Sequence, residues 1–454
     1  MSRPGELGRR MMGGALARAG LCDEDSTRRA VNARWGLGIA AGGALWYAGE
    51  SLRHRREGGE GYALDGEGLD VGSEGFLRAA EALTSAPISW GDDVELLING
   101  DRIFPAYLET IAAARRSVNL LTYAYWRGDI TGEVASALAA KAREGVEVNV
   151  LLDAVGSMRM DPSLIAEMER AGATVTRFRP PKPYAIKRMT NRNHRKLLIA
   201  DGRVGMTGGV GIAEQWTGDA QDPEHWRDTH VRVRGPVVRG LQGAFAEGWL
   251  EATGDVLVGE AHLPELEPTP GGGPMQLVRS RAGVGDTNVE ALYFLAIASA
   301  RRTLDLTAAY FAPRPAFVRA LCDAAQRGVR VRILVPGPHM DKQFVRVAGR
   351  GCYAQLLDAG VEVYEFQPTM LHAKTTVVDG AWASVGSVNF DNRSFQLHDE
   401  ATLCVQSRQF AGLLTEAFEA DLRRSDPLVA ERWHHRPLHH RAQERAMALA
   451  RREL

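Results

Sequence analysis

Two short strings hold the residues best suited to group transfer. His194-Arg195-Lys196 is followed by LLIA and Asp201, and His372-Ala373-Lys374 is followed by TTVV and Asp379. The chain has only six lysines against 49 arginines, yet a lysine stands two residues after each of these histidines. An imidazole supplies a nucleophile or an acid–base group near neutral pH, and an ammonium beside it neutralises developing negative charge. On a strand, positions i and i+2 share a face, so each histidine projects with its lysine while Arg195 and Ala373 face away. Asp201 and Asp379 complete the two candidate catalytic strings. Each precedes a glycine after a strand-like run, so they are expected to fix an Asp-Gly turn or a salt bridge rather than touch substrate.

A histidine nucleophile needs one nitrogen bare and the other held by an acceptor. Asp228, in HWRDTH, and Glu400, in LHDE, are the candidate acceptors, at comparable points after the two histidines. Ser387 and Asn389, in GSVNF, follow the second turn at i and i+2 and can offer hydrogen bonds to the lysine's site. The first half reads TGGVG, which puts Gly211 where Asn389 stands; backbone amides of the glycine run, or a functional asymmetry, would make up the difference. Residues 177–196 contain eight basic residues and no acid. Lys187, Arg188 and Arg192 in this run are candidates to bind a phosphate-bearing substrate, against the alternative of a solvated loop.

The elements that must position these residues occur twice. AAARRSVNLLTYAY (112–125) and GVEVNVLLD (145–153) answer to ASARRTLDLTAAYF (298–311) and GVRVRILVPG (328–337); AGATVTRF (171–178) answers to AGVEVYEF (359–366). Short apolar alternations read as strands, and 132–144 and 315–327 read as helices. Strands alternating with helices predict a mostly parallel sheet covered by helices, in two α/β domains related by a pseudo-two-fold axis. The expected organisation is an N-terminal extension (1–90), a first domain (91–260), a Pro/Gly-rich linker (261–275), a second domain (276–425) and a basic tail (426–454).

Composition sets few further limits. The chain has 454 residues, 45% hydrophobic and 24% charged, and a net charge of −1, which gives no global field for nucleic acid. Its four cysteines, Cys22, Cys322, Cys352 and Cys404, form neither a zinc pattern nor a disulfide framework. Residues 35–49 carry no charge but fall short of the roughly 20 apolar residues of a bilayer span, so they read as a short anchor or an interfacial helix. The arginine- and histidine-rich tail reads as a solvated helix or a lipid-surface contact.

Paired HxKxxxxD strings followed by a Gly-Ser-x-Asn or Gly-Gly segment resemble the phospholipase D superfamily. Over roughly residues 90–425 the chain looks most similar to bacterial cardiolipin synthases. HRKLLIADGRVGMTGG, WRDTHVRVRGPVV, AYFAPRPAFVRAL and LHAKTTVVDGAWASVGSVNFDNRSF carry the likeness. Gly211 departs from the usual first motif. The resemblance implies two α/β/α sandwich domains with the active site at their interface. It implies an enzyme that joins two phosphatidylglycerol molecules and releases glycerol, with no metal ion or other cofactor. The partners implied are phospholipid and a membrane surface, with no nucleic acid, at the cytoplasmic membrane through peripheral contact or one N-terminal anchor. By the same resemblance, His194 is the nucleophile and His372 the general acid and base. Lys196, Lys374 and Asn389 neutralise the phosphoryl oxygens, and Asp228 and Glu400 hold the imidazoles. Hydrolysis by the same histidines, giving a phospholipase D or less readily a nuclease, is the nearest alternative. A catalytically silent scaffold is a further one, disfavoured by two intact His/Lys pairs.

Overall fold

The computed structural model describes residues 63–437, except 65, 67, 182–190 and 283–285, together with residue 444. The expected anchor at 35–49, most of the basic tail, and Lys187 and Arg188 lie outside the described residues.

The first half contains β1 (Ser89–Ile98), β2 (Ser117–Thr122), β3 (Glu147–Asp153), β4 (Thr174–Phe178), β5 (Arg192–Asn193), β6 (Leu197–Ala200), β7 (Val204–Gly208) and β8 (Thr229–Arg234). The second contains β9 (Gly273–Ser280), β10 (Thr303–Ala308), β11 (Phe311–Ala312), β12 (Arg330–Pro336), β13 (Glu362–Phe366), β14 (Lys374–Val378), β15 (Trp382–Gly386), β16 (Phe390–Asp391), β17 (His398–Gln406) and β18 (Ser425–Pro427). Strand order is β1-β8-β7-β6-β2-β3-β4 in one half and β9-β17-β15-β14-β10-β12-β13 in the other. The two orders match step for step, and the halves join where β1 meets β9 antiparallel, Ser89 opposite Met275.

The expected mostly parallel sheet is corrected to a mixed one. Among the longer strands, parallel pairing falls to β2-β3-β4 and β10-β12-β13, which helical crossovers connect; the two-residue strands β5 and β11 add parallel pairs with β17 and β16. The strands that leave the two histidines are antiparallel, because Asp-Gly turns reverse them at once. Asp201 and Gly202 have φ of 54° and 62°, and Asp379 and Gly380 have 52° and 61°, the left-handed pair that a tight hairpin turn requires. The expected linker ends early, since β9 starts at Gly273, and β18 extends the second half past residue 425 by pairing with β13.

Helices cover both faces. Glu74–Thr84 starts at a Ser73 hydroxyl that accepts from the Phe76 amide, and Pro162–Arg170 starts at Asp161 with proline in its first turn. Helices Gly100–Ala113, Asp129–Arg143 and Pro162–Arg170 pack on one face of the first half; Asn288–Ser299 and Pro315–Gln326 pack on the matching face of the second. Helices Val238–Thr253 and Arg408–Leu422 share a third core with Leu197, Ile199, Val231, Val377, Val385 and Leu403, drawn from both halves. Each such buried side chain contributes roughly 1.5–3 kcal/mol, so this shared core fixes one half against the other.

Candidate active site

Each histidine sits in the extended segment that enters its hairpin, and each segment pairs with the opposite half. β5 runs parallel to the start of β17, Arg192 opposite His398 and Asn193 opposite Asp399, and the His194 amide donates to the Asp399 carbonyl at 2.9 Å. Likewise Leu371 bridges Arg227, and the His372 amide donates to the Arg227 carbonyl at 2.7 Å. The next residue along each partner segment is an acid. The register therefore sets Glu400 against His194 and Asp228 against His372.

His194 Nδ1 lies 3.0 Å from Glu400 Oε1, and His372 Nδ1 lies 2.7 Å from Asp228 Oδ2. The acids proposed from sequence do reach the imidazoles, but exchanged: each half supplies the acceptor for the other half's histidine. Burial holds both rings below their ordinary value, His372 down to about 4, which keeps them neutral at pH 7. Burial alone would raise the two carboxyls. The neighbouring groups together outweigh it, His194 and His398 at Glu400 and His372, Lys374 and the Thr229 amide at Asp228, so both acids stay below the usual range and ionised. A neutral ring donating Nδ1–H to a carboxylate leaves Nε2 free.

The two acids are held differently. Ser387 Oγ donates to Glu400 Oε2. The position matching Ser387 is Gly209, where an added Cβ would stand 2.1 Å from Asp228 Oδ1, so the carboxylate itself fills the space. The Trp216 indole supplies the missing donor, its Nε1 lying 2.9 Å from Asp228 Oδ2. Trp216 also explains Gly211, since a Cβ there would come within 2.9 Å of its ring. In the glycine run the Gly209 amide donates to the Thr229 carbonyl at 3.0 Å.

Lys196 Nζ donates to the His194 carbonyl at 2.6 Å, and Lys374 Nζ donates to the His372 carbonyl and lies 3.0 Å from that ring's Nδ1. Burial brings Lys196 down to about 7 and Lys374 down to about 8. Each string feels the other: Lys374 lowers Lys196, and Lys196 contributes to lowering His372. Asn389 is buried, and its Oδ1 makes no hydrogen bond among the described residues.

Aromatic rings wall both imidazoles, and sequence reasoning missed them. Tyr123 meets His194 edge-on at 4.9 Å, and His398 lies tilted against it at 5.4 Å. Trp216, Trp226 and Tyr310 surround His372 at 5.3, 5.6 and 6.4 Å. His398 and Trp226 each stand two residues before an acid, a same-face spacing visible in LHDE and HWRD. His194, His398 and Glu400 also bring ligand atoms within 4.8 Å of one another, the single group among the described residues spaced to hold a metal.

Other expected residues fall outside the site. Asp201 accepts from the amides of Arg115, Arg116 and Ser117, and Asp379 from those of Arg301, Arg302 and Thr303, at the far ends of their strands. Both therefore tie their turns to the start of a neighbouring strand, in line with the turn-fixing role expected of these two members of the strings. Arg192, expected to bind substrate, is buried. It donates to the Asn191 and Arg179 carbonyls and lies 3.6 Å from Asp153, because a guanidinium taken out of water needs such partners. Arg195 is likewise spent on the carbonyls of Ala244, Ser280 and Glu400.

The fold and the doubled site define an enzyme of the phospholipase D superfamily. A phosphatidylserine synthase from Haemophilus influenzae Rd KW20 superposes on 83% of this chain and 99% of its own, with a TM-score of 0.62 at 13% identity, a likeness of fold. The profile described as cardiolipin synthase, PLD-like domain matches residues 107–223 and 293–422. A cardiolipin synthase from Geobacillus sp. (strain WCH70) is 34% identical over 80% of this chain and 72% of its own length. Cardiolipin synthase 2 of Bacillus anthracis is 35% identical over 81% and 72%. The chain belongs to the cardiolipin synthase family of phosphatidyltransferases.

Proposed function

We propose that the protein joins two phosphatidylglycerol molecules into cardiolipin and releases glycerol, through a phosphatidyl-histidine intermediate. The observation that carries the reading is the pair of exchanged His–carboxylate contacts, which occupy Nδ1 of two neutral imidazoles in one electrostatically connected site and leave Nε2 for the substrate, that of His372 with Lys374 Nζ beside it at 3.2 Å.

His194 Nε2 attacks phosphorus, and the bond to the glycerol oxygen breaks with its electron pair leaving on that oxygen. His372, protonated as the phosphodiester charge enters beside it, gives its Nε2 proton to the departing alkoxide. The free hydroxyl of a second phosphatidylglycerol then gives its proton to His372 and attacks phosphorus, and the P–N bond breaks back to His194. Lys196, Lys374 and Asn389 line the non-bridging oxygens and offset the charge that accumulates there. Glu400 and Asp228 act as positioning residues, fixing the tautomer of the opposite half's imidazole. The same reading places the protein at a membrane surface, where its substrates lie, and assigns residues 91–260 and 276–425 as the two catalytic halves.

The test is purified full-length chain with isotope-labelled phosphatidylglycerol, products resolved by mass spectrometry. Cardiolipin and glycerol in equal amounts are expected. Phosphatidic acid as the main product would make it a hydrolase, and neither product would remove the reading.

A further inference from the structure

The two crossover helices Asp129–Arg143 and Pro315–Gln326 lead into β3 and β12; the loop after β3 carries Met158 out into solvent, and the first turn of the helix Gln343–Arg350 after β12 carries Phe344. Met158 is 67% exposed and Phe344 49% exposed. Each has a neighbouring cation laid over an aromatic ring: the Arg159 guanidinium is 5.2 Å from the centre of Trp126, and the Lys342 ammonium is 4.7 Å from the centre of Tyr310. Both rings lead to the same place. Trp126 meets Trp226 at 6.2 Å and Trp226 meets His372 at 5.6 Å, while Tyr310 meets His372 at 6.4 Å. Trp226 also packs against the cluster of Tyr310, Met340 and Val345 that carries the second loop.

These are not loose ends of chain. Asp153 accepts from the Val155 and Gly156 amides, Ser157 donates to the Tyr123 carbonyl at 3.0 Å, and the Trp126 indole donates to the Gly156 carbonyl at 2.7 Å. In the second loop the Tyr310 hydroxyl donates to Asp341 at 2.9 Å, and Gln343 holds the carbonyls of Pro338 and Met340 at 2.8 Å. Phe344 opens the helix Gln343–Arg350, whose Val345, Ala348 and Gly349 pack inward, which leaves Phe344 on the outer face. Tightly bonded segments that display an apolar side chain next to a cation, once after β3 and once after β12, both tied through aromatic rings to His372, have the chemistry that suits an anionic lipid surface: apolar groups enter the acyl boundary and cations meet phosphates.

We infer that Met158 and Phe344, with Arg159 and Lys342, dock the catalytic entrance onto an anionic phospholipid bilayer, so that a lipid head group passes to His372 without the lipid leaving the membrane. This deepens the proposed function and rests on its substrate being a bilayer phospholipid.

Two measurements on the full chain test it. A polarity-sensitive probe on Met158→Cys, with Cys22→Ser because Cys322, Cys352 and Cys404 are buried, is expected to shift to the blue on phosphatidylglycerol vesicles. No shift overturns the docking, and because this readout needs no turnover it is independent of the proposed reaction. Met158→Ser/Phe344→Ser is expected to lose at least tenfold in rate on phosphatidylglycerol vesicles and to keep its rate on monomeric dihexanoyl-phosphatidylglycerol. Equal loss on both substrates would place these residues in the chemistry, and no loss on either would deny them any role; both outcomes overturn the inference.

Discussion

His194 and Glu400 are separated by 206 residues of chain yet share a hydrogen bond of 3.0 Å, and His372 reaches Asp228 across 144 residues at 2.7 Å. Because each imidazole depends on the other half's carboxylate, coupling between substitutions should also cross between halves. Glu400→Gln is expected to slow turnover by about 10²–10⁴-fold, the range for losing a positioned acid–base partner. Adding it to His194→Ala should cost little more, whereas the effects of Glu400→Gln and Asp228→Asn should compound. Rates of the single and double variants decide this; Glu400 coupling to His372 in place of His194 would contradict it.

His194→Ala and His372→Ala are each expected to slow transfer further than loss of either carboxylate, down to a small residual rate. Rapid quench in alkaline denaturant, which spares the acid-labile P–N bond, with ³²P-labelled phosphatidylglycerol should trap label on His194 in the unmodified chain. Label on His372 would reverse the assigned order of the two rings.

Lys196, near 7, and Lys374, near 8, lose their charge as pH rises through those values, and with it their neutralisation of the phosphodiester. In the free enzyme the fall of kcat/KM with pH should therefore steepen above pH 7–8, each lysine adding up to about tenfold per unit of pH to the limb that the His372 proton sets. A bound anion favours the charged lysines, so the same limb in kcat should lie at higher pH. A flat kcat/KM to pH 9 would show that these ammonium groups do not need their protons.

Trp216 both fills the space over Gly211 and donates to Asp228. Trp216→Phe leaves a buried carboxylate one donor short, which costs roughly 1–3 kcal/mol. Gly211→Asn forces the indole aside, at a similar cost for overpacking. Both should lower the midpoint of thermal unfolding and slow the reaction. Unchanged stability in Gly211→Asn would mean the indole is not held where it is described.

Arg227 Nη2 meets Asp421 Oδ2 at 2.9 Å, with both side chains buried. Asp421→Ala strands the guanidinium and should cost about 3–5 kcal/mol, read as a lowered denaturant midpoint. Since the Arg227 carbonyl holds the His372 amide, activity should fall before the protein unfolds.

Features set by neighbours in sequence were legible in advance. The His-x-Lys spacing and the Asp-Gly turns depend on two to five residues, and the duplication points to Asp228 and Glu400 by position alone. Which acid meets which histidine was not legible, because the pairing of β5 with β17 and of Arg227 with Leu371 is long-range and leaves no period in either segment. Trp216 escaped for the same reason: its place over Gly211 comes from tertiary packing. The burial of Arg192 was not legible either, because a run of basic residues does not reveal which of them find buried partners.

The exchange of acids also bears on how such a chain could be divided. A polypeptide with one copy of the repeat would contain a histidine, a lysine and a carboxylate and still leave its imidazole without a proton acceptor until a second copy docked. Assembly of the two copies is thus a precondition for competence, and a split of the gene at the Pro/Gly-rich stretch near residue 270 would yield fragments that are inert apart and active only as a reconstituted pair.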